Sequence, residues 1–457
     1  MISTEQMKQQ ITELLSERKF DVVRELFKES RVVDMADPIG EMDVKDILLV
    51  FSLVDRETSA QLFTYMDDEK REQLIEAFTG SQLRELLEEV YTDDIVDIMG
   101  DLPANLTKKI LQSATPETRK EINLLLSFPE DSAGSFMSCD FFELIQYDTV
   151  AEAISKLKKQ GNTAETINTC FVIDDERRLV GSIQLKNLLF EKRNIRIKDI
   201  MERDPVSVLT TDDQEKVAEV IRKYDIAIVP VVNDEMRLIG IITIDDVMDI
   251  MEEEITEDIH KMNAVAPIQD SYVDASVMTI VKSRLPWLLV LMITNMFSEM
   301  IIAHYEMAVM AIPILVGFMP VIMDTAGNGG GQSSTVVIRA IATGDVETKD
   351  IWKVLRKEFT VGVICSLVLF VITFCRLYFF PSEEASLVGA LSISLSVAGS
   401  MCIALILGKT VGGLLPILVN ALHFDPASVA APIITTLSDT TSLFIYFEIA
   451  SLFFKLK

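Results

Sequence analysis

Histidine is scarce in this chain of 457 residues, at three positions (His260, His304, His423), and tryptophan at two. The five cysteines (Cys139, Cys170, Cys365, Cys375, Cys402) form no CxxC pair and no even framework. Three of them lie in apolar runs, where a thiol packs as a small hydrophobe. An imidazole or thiolate zinc centre is therefore not expected. Positive charge is also short: 42 Lys and Arg face 70 Asp and Glu, a net of −28. That deficit argues against nucleic acid as a partner and against docking on anionic lipid. No Walker A ending follows the glycine-rich segment at 324–332, no aspartyl-phosphate pump motif is present, and no nucleophile–base constellation emerges, so neither an ATP-driven pump nor an enzyme is expected. The start, MISTEQMKQQ, has no apolar core of a signal peptide, which places the N-terminus in the cytosol.

What the chain does have is unevenly distributed. From Arg284 onward there are twelve acids and ten bases, so nearly all of the net charge of −28 sits in residues 1–283. Beyond Arg284 come five apolar runs, at 285–303, 307–323, 361–380, 387–407 and 427–454. Each is near the ~17–25 residues that cross a bilayer as a helix. Lys282 and Arg284 before run one, and Arg339, Lys349, Lys353, Arg356 and Lys357 between runs two and three, place both of those segments in the cytosol. The loops at 304–306 and 381–386 then face outward, as does the C-terminus, against the small vote of Lys455 and Lys457.

Ionisable groups inside such runs cost at least ~2.5–3.5 kcal/mol at mid-bilayer and face a bundle interior or water. Asp439 lies within run five among Thr435, Thr436, Ser438 and Thr440. It reads as an ion site or as an interhelical hydrogen-bond clamp. Glu299, Asn295 and Glu448 are candidates of the same kind nearer an interface. The segment Asp324-Thr-Ala-Gly-Asn-Gly-Gly-Gly-Gln332 is expected to be an unwound helix end whose carbonyls face a cavity.

The first 132 residues read as short amphipathic helices, at 58–66, 69–78, 81–90 and 93–102 among others, stacked into an all-α superhelix. After residue 133 the period changes. Strands are expected at 169–173 and 179–183, and again at 227–232 and 238–242. Each pair is preceded by an amphipathic helix (150–160, 214–224) and followed by another (185–191, 244–251), an internal duplication of about 60 residues. The order is similar to a pair of CBS domains. Gly240-Ile-Ile-Thr-Ile-Asp-Asp246 carries that module's GxxTxxD signature, whereas Gly181-Ser-Ile-Gln-Leu-Lys-Asn187 departs from it. CBS pairs bind adenine nucleotides, so the resemblance implies ATP at Thr243 and Asp246. Residues 199–258 hold 18 acids and five bases. Carboxylates packed this closely are either a solvated face or a seat for hard divalent cations.

Taken together the chain resembles the MgtE family of magnesium channels. The matching pieces are Asp245-Asp246-Val-Met-Asp249, Glu257-Asp-Ile-His-Lys261, Gly-Asn328-Gly-Gly-Gly-Gln332, Ile-Arg339-Ala-Ile-Ala-Thr343, Asp425-Pro-Ala, and Thr435-Thr-Leu-Ser-Asp439. The resemblance implies a multidomain fold: a helical N-domain (1–132), tandem CBS domains (133–254), a linking or plug helix (255–283) and a five-helix transmembrane pore domain (284–457). It implies a homodimer in the plasma membrane with its pore on the two-fold axis. There Asp439, helped by Gly327, Asn328 and Thr435, would grip Mg²⁺ through its water shell. Regulatory Mg²⁺ would bind Asp93, Asp97, Asp213, Glu215, Asp225, Asp246, Asp249, Glu254, Glu257, Asp258 and Asp425 and close the pore. Gln61 stands where a carboxylate is expected beside Asp93, and Gly331 and Ala431 replace polar residues near the pore. A channel for Co²⁺ or Mn²⁺, and a CBS-based metal or nucleotide receptor without transport, remain rival readings.

Overall fold

The computed structural model describes residues 4–100, 102–161, 164–268, 272–273, 275–383, 389–428 and 431–455. Parts of the expected outward loop (384–386), of run four (387–388) and of run five (429–430) lie outside them. The chain forms two compact units, residues 1–251 and 252–457.

In the first unit ten short helices follow one another from Thr4–Ser16 to Pro116–Leu125, and helices two apart in the chain pack together. Local chemistry starts and stops them. The Thr58 N–H donates to Asp55 Oδ1 at 2.9 Å, Thr79 and Gln82 form a reciprocal capping box, and Thr115 caps a helix whose first residue is Pro116. Lys109 closes the opposite kind of end, donating to the carbonyls of Ile75, Glu76 and Phe78 at 2.8–3.0 Å. Apolar residues spaced three and four apart feed one continuous core that includes Ile11, Ile47, Phe63, Leu74 and Leu83.

The duplication is borne out in detail. One sheet pairs Glu143–Ile145, Thr169–Ile173, Leu179–Gln184 and Glu202–Arg203 in that order; the other pairs Val208–Leu209, Ile228–Val232 and Leu238–Thr243. Both hairpins carry a register shift at the same place, Val172/Ile173 and Val231/Val232. Both turn through a left-handed residue, Arg177 and Met236. The two turns also pair with each other: the Leu179 N–H donates to Met236 O at 2.9 Å and the Leu238 N–H to Arg177 O at 3.2 Å. Fully buried Val229, Val231 and Ile242 on one sheet and Cys170, Val172 and Leu144 on the other explain the unbroken apolar runs of these strands.

The helix after the last strand runs from Ile244 to Met262, well past the expected end at 251. It then stops. Asn263 and Ala264 turn, Ala264 at φ 56°, and the next helix is Val277–His304. Of the expected linking helix over 255–283, the described residues give the end of this helix, non-helical chain at 263–268 and the start of the next helix at Val277, while 269–271 and 274 lie outside the described residues. Run two is also broken: Glu306–Ala311 is a short helix, Pro313–Phe318 a 3₁₀ turn, and a 24-residue helix begins at Met319. Pro313 and Pro320, which cannot donate within a helix, account for the interruption. Among the described residues three helices are long and apolar enough to cross a membrane: Val277–His304, Thr348–Phe379 and Ala390–Ala421.

The glycine segment corrects a second expectation. It is not unwound; Met319–Ala342 is continuous helix through it. Its glycines serve close packing. A methyl built on Gly412 would collide with Gly330 O, and one on Gly408 would stand 2.6 Å from Ala326 O. The Met319–Ala342 and Ala390–Ala421 helices therefore touch backbone to backbone, the small-residue mode of membrane helices. Gly412→Ala is expected to cost ~1–3 kcal/mol by forcing them apart, seen as a lowered unfolding midpoint in detergent. Gly399→Ala, with open space around it, is the control that leaves the midpoint unchanged.

Candidate cation sites

Two regions gather the expected residues. In the second unit, the Met319–Ala342 helix and the Ala431–Phe454 helix flank an open cleft of about 580 Å³ lined by Gly327, Asn328, Gly331, Gln332, Thr335, Val336, Ala431 and Thr435. Three of the four expected pore residues line it. Asp439, the fourth, stands one turn beyond Thr435, against Gly327: a methyl there would lie 2.7 Å from Asp439 Oδ1. That oxygen is shielded and has no hydrogen-bond partner among the described residues. Asp324, outside the expected set, accepts from Asn328 Nδ2 at 2.9 Å. The carbonyls of the 324–332 segment do not open onto a cavity as expected, because that segment is helical, and on the facing helix Thr435 Oγ1 donates to Ala431 O at 2.9 Å. Glu448 accepts from Tyr305 OH at 2.5 Å and so bridges two helices, while Glu299 and Asn295 are exposed.

In the first unit the Thr92–Gly100 helix presents its acids to those of the Ile244–Met262 helix. Asp93 Oδ1 is shielded without a hydrogen-bond partner among the described residues, as is Glu165 Oε2. Glu165, Asp245 and Asp246 each bring one carboxylate oxygen within 4.8 Å of the others, close enough to share a cation. Burial, then the charges of Glu165 and Asp94, pushes Asp93 up to about 8. Burial raises Glu165 to about 7 and, with Asp246 and Asp97 nearby, Asp94 to about 6. Asp97 is raised by burial and by Asp68 and Asp249, against the opposing pull of Arg71. Asp246 does double duty: its Oδ2 accepts from Thr243 Oγ1 at 2.6 Å and Thr243 N at 3.3 Å, capping the Ile244 helix. Thr243 and Asp246, the expected nucleotide contacts, are thus bonded to each other.

The remaining expected ligands are scattered. Asp213 and Asp225 cap opposite ends of the Gln214–Tyr224 helix, about 18 Å apart at 1.5 Å per residue, so within one chain they share no ion with each other. Asp213 accepts from Glu215 N at 2.9 Å. In the second unit Lys261 holds Glu257 at 2.6 Å and Asp425 at 3.0 Å, occupying the space a metal would take between them. Burial lowers the Lys261 ammonium but these two carboxylates raise it further. Burial, then Asp425, raises Asp258. Glu254 carries interactions of its own and does not join the Glu165 cluster.

Glu165 was missed because it lies some 80 residues from Asp245 in sequence, in a loop without motif. Lys409 and Glu358 were missed because runs three and four were read as starting at 361 and ending at 407. The helices extend to Ile351 and Ala421 and carry both charges inward. Twelve further residues after Lys409, all but three of them apolar or glycine, were the available signal.

Family models match three stretches of the chain: the divalent cation transporter domain MgtE at residues 319–449, the MgtE intracellular N domain at 30–131, and a CBS domain at 197–253. The CBS match covers the second copy, the one that carries the signature. The chain is 32% identical over 447 residues to the magnesium transporter MgtE of Thermus thermophilus, covering 97% of each, and 30% identical over 444 residues to that of Bacillus subtilis, covering 94% and 96%. A crystal structure of the soluble part of a magnesium transporter superposes with a TM-score of 0.52 at 31% identity, covering 55% of this chain and 99% of that one.

Proposed function

Given that the chain belongs to the MgtE family of divalent cation transporters, we propose that it is a Mg²⁺-gated, Mg²⁺-selective channel that admits magnesium to the cell. The observation carrying this reading is the Asp439 oxygen, without a hydrogen-bond partner among the described residues, over the bare Cα of Gly327 and beside a cleft walled by the glycine helix. Mg²⁺ dehydrates reluctantly and keeps its waters, so a carboxylate that accepts from a water shell suits it better than a dry cage. The chain acts as a homodimer with five membrane helices per protomer. Its pore lies on the two-fold axis, its soluble domains (1–132, 133–254 and the 255–283 segment) are cytoplasmic and its C-terminus is outside. The Met319–Ala342 and Ala431–Phe454 helices supply the two crossings that hydropathy alone does not mark; at ~1.5 Å per residue, 24 residues reach about 36 Å.

Gating follows from the acids of the first unit. Cytosolic Mg²⁺ bridges Asp93, Asp246 and Glu165, stabilises the closed arrangement and shifts the population toward it. When Mg²⁺ falls, like charges separate and the pore opens. Purified protein in liposomes loaded with a Mg²⁺-sensitive dye tests the reading. Influx that is passed for Mg²⁺ and falls as Mg²⁺ rises on the cytosolic face is expected; an empty-liposome rate sinks it, and equal passage of Co²⁺ or Mn²⁺ removes the selectivity claim.

The raised carboxyl groups set the pH dependence. Their neutral forms are the ones the fold favours, so without a cation this contact loses stability as pH climbs from ~4 toward about 8. Mg²⁺ needs the ionised forms. Between pH 6 and 8, where Asp93 and Glu165 lose their protons, half-inhibition is expected to move to about tenfold lower Mg²⁺. A dose–response series at fixed ionic strength measures it, and a pH-independent midpoint contradicts it.

A further inference from the structure

Among the described residues Lys409 is the one charged side chain that is more than nine-tenths buried, at 7% exposed. It sits in the Ala390–Ala421 helix, about 18 Å from the C-terminal end at 1.5 Å per residue. A cation at that depth is expensive and normally faces a partner or water. Its ammonium donates to Gln332 Oε1 at 3.5 Å, its one polar partner among the described residues. Gln332 is exposed and lines the cleft beside Asn328 and Thr335. The contact is braced from a third helix. Ser333, next to Gln332, donates to Glu358 Oε2 at 2.6 Å, and Glu358 lies across Gly413, one turn beyond Lys409.

A hydrated divalent cation presents water hydrogens outward, so the cleft holds it with acceptors. Conduction also requires that this hold be weak enough for release. A free carboxamide oxygen at Gln332 would be one more acceptor. We propose that Lys409 is a positioning residue for cation passage: by engaging the Gln332 oxygen it withholds that acceptor from the cleft and keeps the ion's residence short. This rests on the transport reading above.

The test is Mg²⁺ influx into liposomes as a function of external Mg²⁺, for the parent and a mutant cycle. Lys409→Met frees the Gln332 oxygen. It is expected to lower the half-saturating concentration about fivefold, the scale of one added hydrogen bond, and to lower maximal influx with it. Lys409→Arg retains donor and reach, and restores parental values. In Lys409→Met/Gln332→Leu the freed acceptor is gone and the half-saturating concentration returns to within twofold of the parent. Should Lys409→Met not fold, Lys409→Gln, one bond shorter and unable to span the present 3.5 Å contact, takes its place. A half-saturating concentration unchanged in the folded Met or Gln variant, or shifted equally in the double variant, overturns the proposal. A parent protein without influx counts against the transport reading instead.

Discussion

Asp439→Ala is expected to reduce Mg²⁺ influx into liposomes by about a hundredfold or more while leaving the protein folded. The charge is the reason. A carboxylate meeting a divalent ion across one water layer, at ~5 Å and an effective dielectric near 20, contributes several kcal/mol. Each 1.4 kcal/mol of lost attraction is a factor of ten. The competing role, a structural clamp, requires a hydrogen-bond partner, and Asp439 Oδ1 has none among the described residues; its neighbour is Gly327, which has no side chain. Glu448 shows what a clamp looks like here, bonded to Tyr305 at 2.5 Å. Glu448→Gln should therefore alter thermal stability more than influx. Asp439→Asn separates shape from charge: it keeps the volume and still loses most of the influx. Unchanged influx in Asp439→Ala would transfer the ion site to Asp324 and Asn328, which are bonded to each other one turn apart on the facing helix.

How much of this could be read from residues alone depended on whether the signal was local. The helix caps at Asp55 and Thr79, and the apolar run at Ile228–Val232, are decided within a few residues, and their elements appear where expected within two or three positions. The duplication was legible for the same reason, down to matching turns at Arg177 and Met236. Glycine was misread because its two uses look alike in sequence. The freedom that permits unwinding also permits a bare backbone surface, and only the facing Gly408 and Gly412 show which applies. Helix ends in the apolar half were misplaced because charge was taken as a boundary. A buried Lys409 breaks that rule by finding Gln332, 77 residues away. Long-range convergence, as of Glu165 on Asp245 and Asp246, has no local signature at all.

Replacing Asp246 and Asp249 by Asn and Glu257 by Gln together is expected to abolish inhibition by cytosolic Mg²⁺ up to at least about ten times the parental midpoint, with uninhibited influx preserved. The amides keep volume, and Asn at 246 still offers an acceptor to Thr243, so the helix cap survives and the change isolates charge. The three positions act differently. Asp246 removes one of the three clustered oxygens, Asp249 removes the charge that faces Asp97, and Glu257 removes one of two acids held by Lys261. Because a divalent ion needs several ionised oxygens at once, the losses at Asp246 and Asp249 weaken the site, and the loss at Asp246 should be the largest single effect. Neutralising Asp246 also relieves the repulsion that raises Asp93 and Asp94. The Mg²⁺-free protein should then become more thermally stable than the parent while the Mg²⁺-bound one loses its increment. That crossing of stabilities, read by thermal unfolding with and without Mg²⁺, distinguishes a cation seat from a solvated acidic face. On a solvated face all three replacements would leave both curves and the inhibition unchanged.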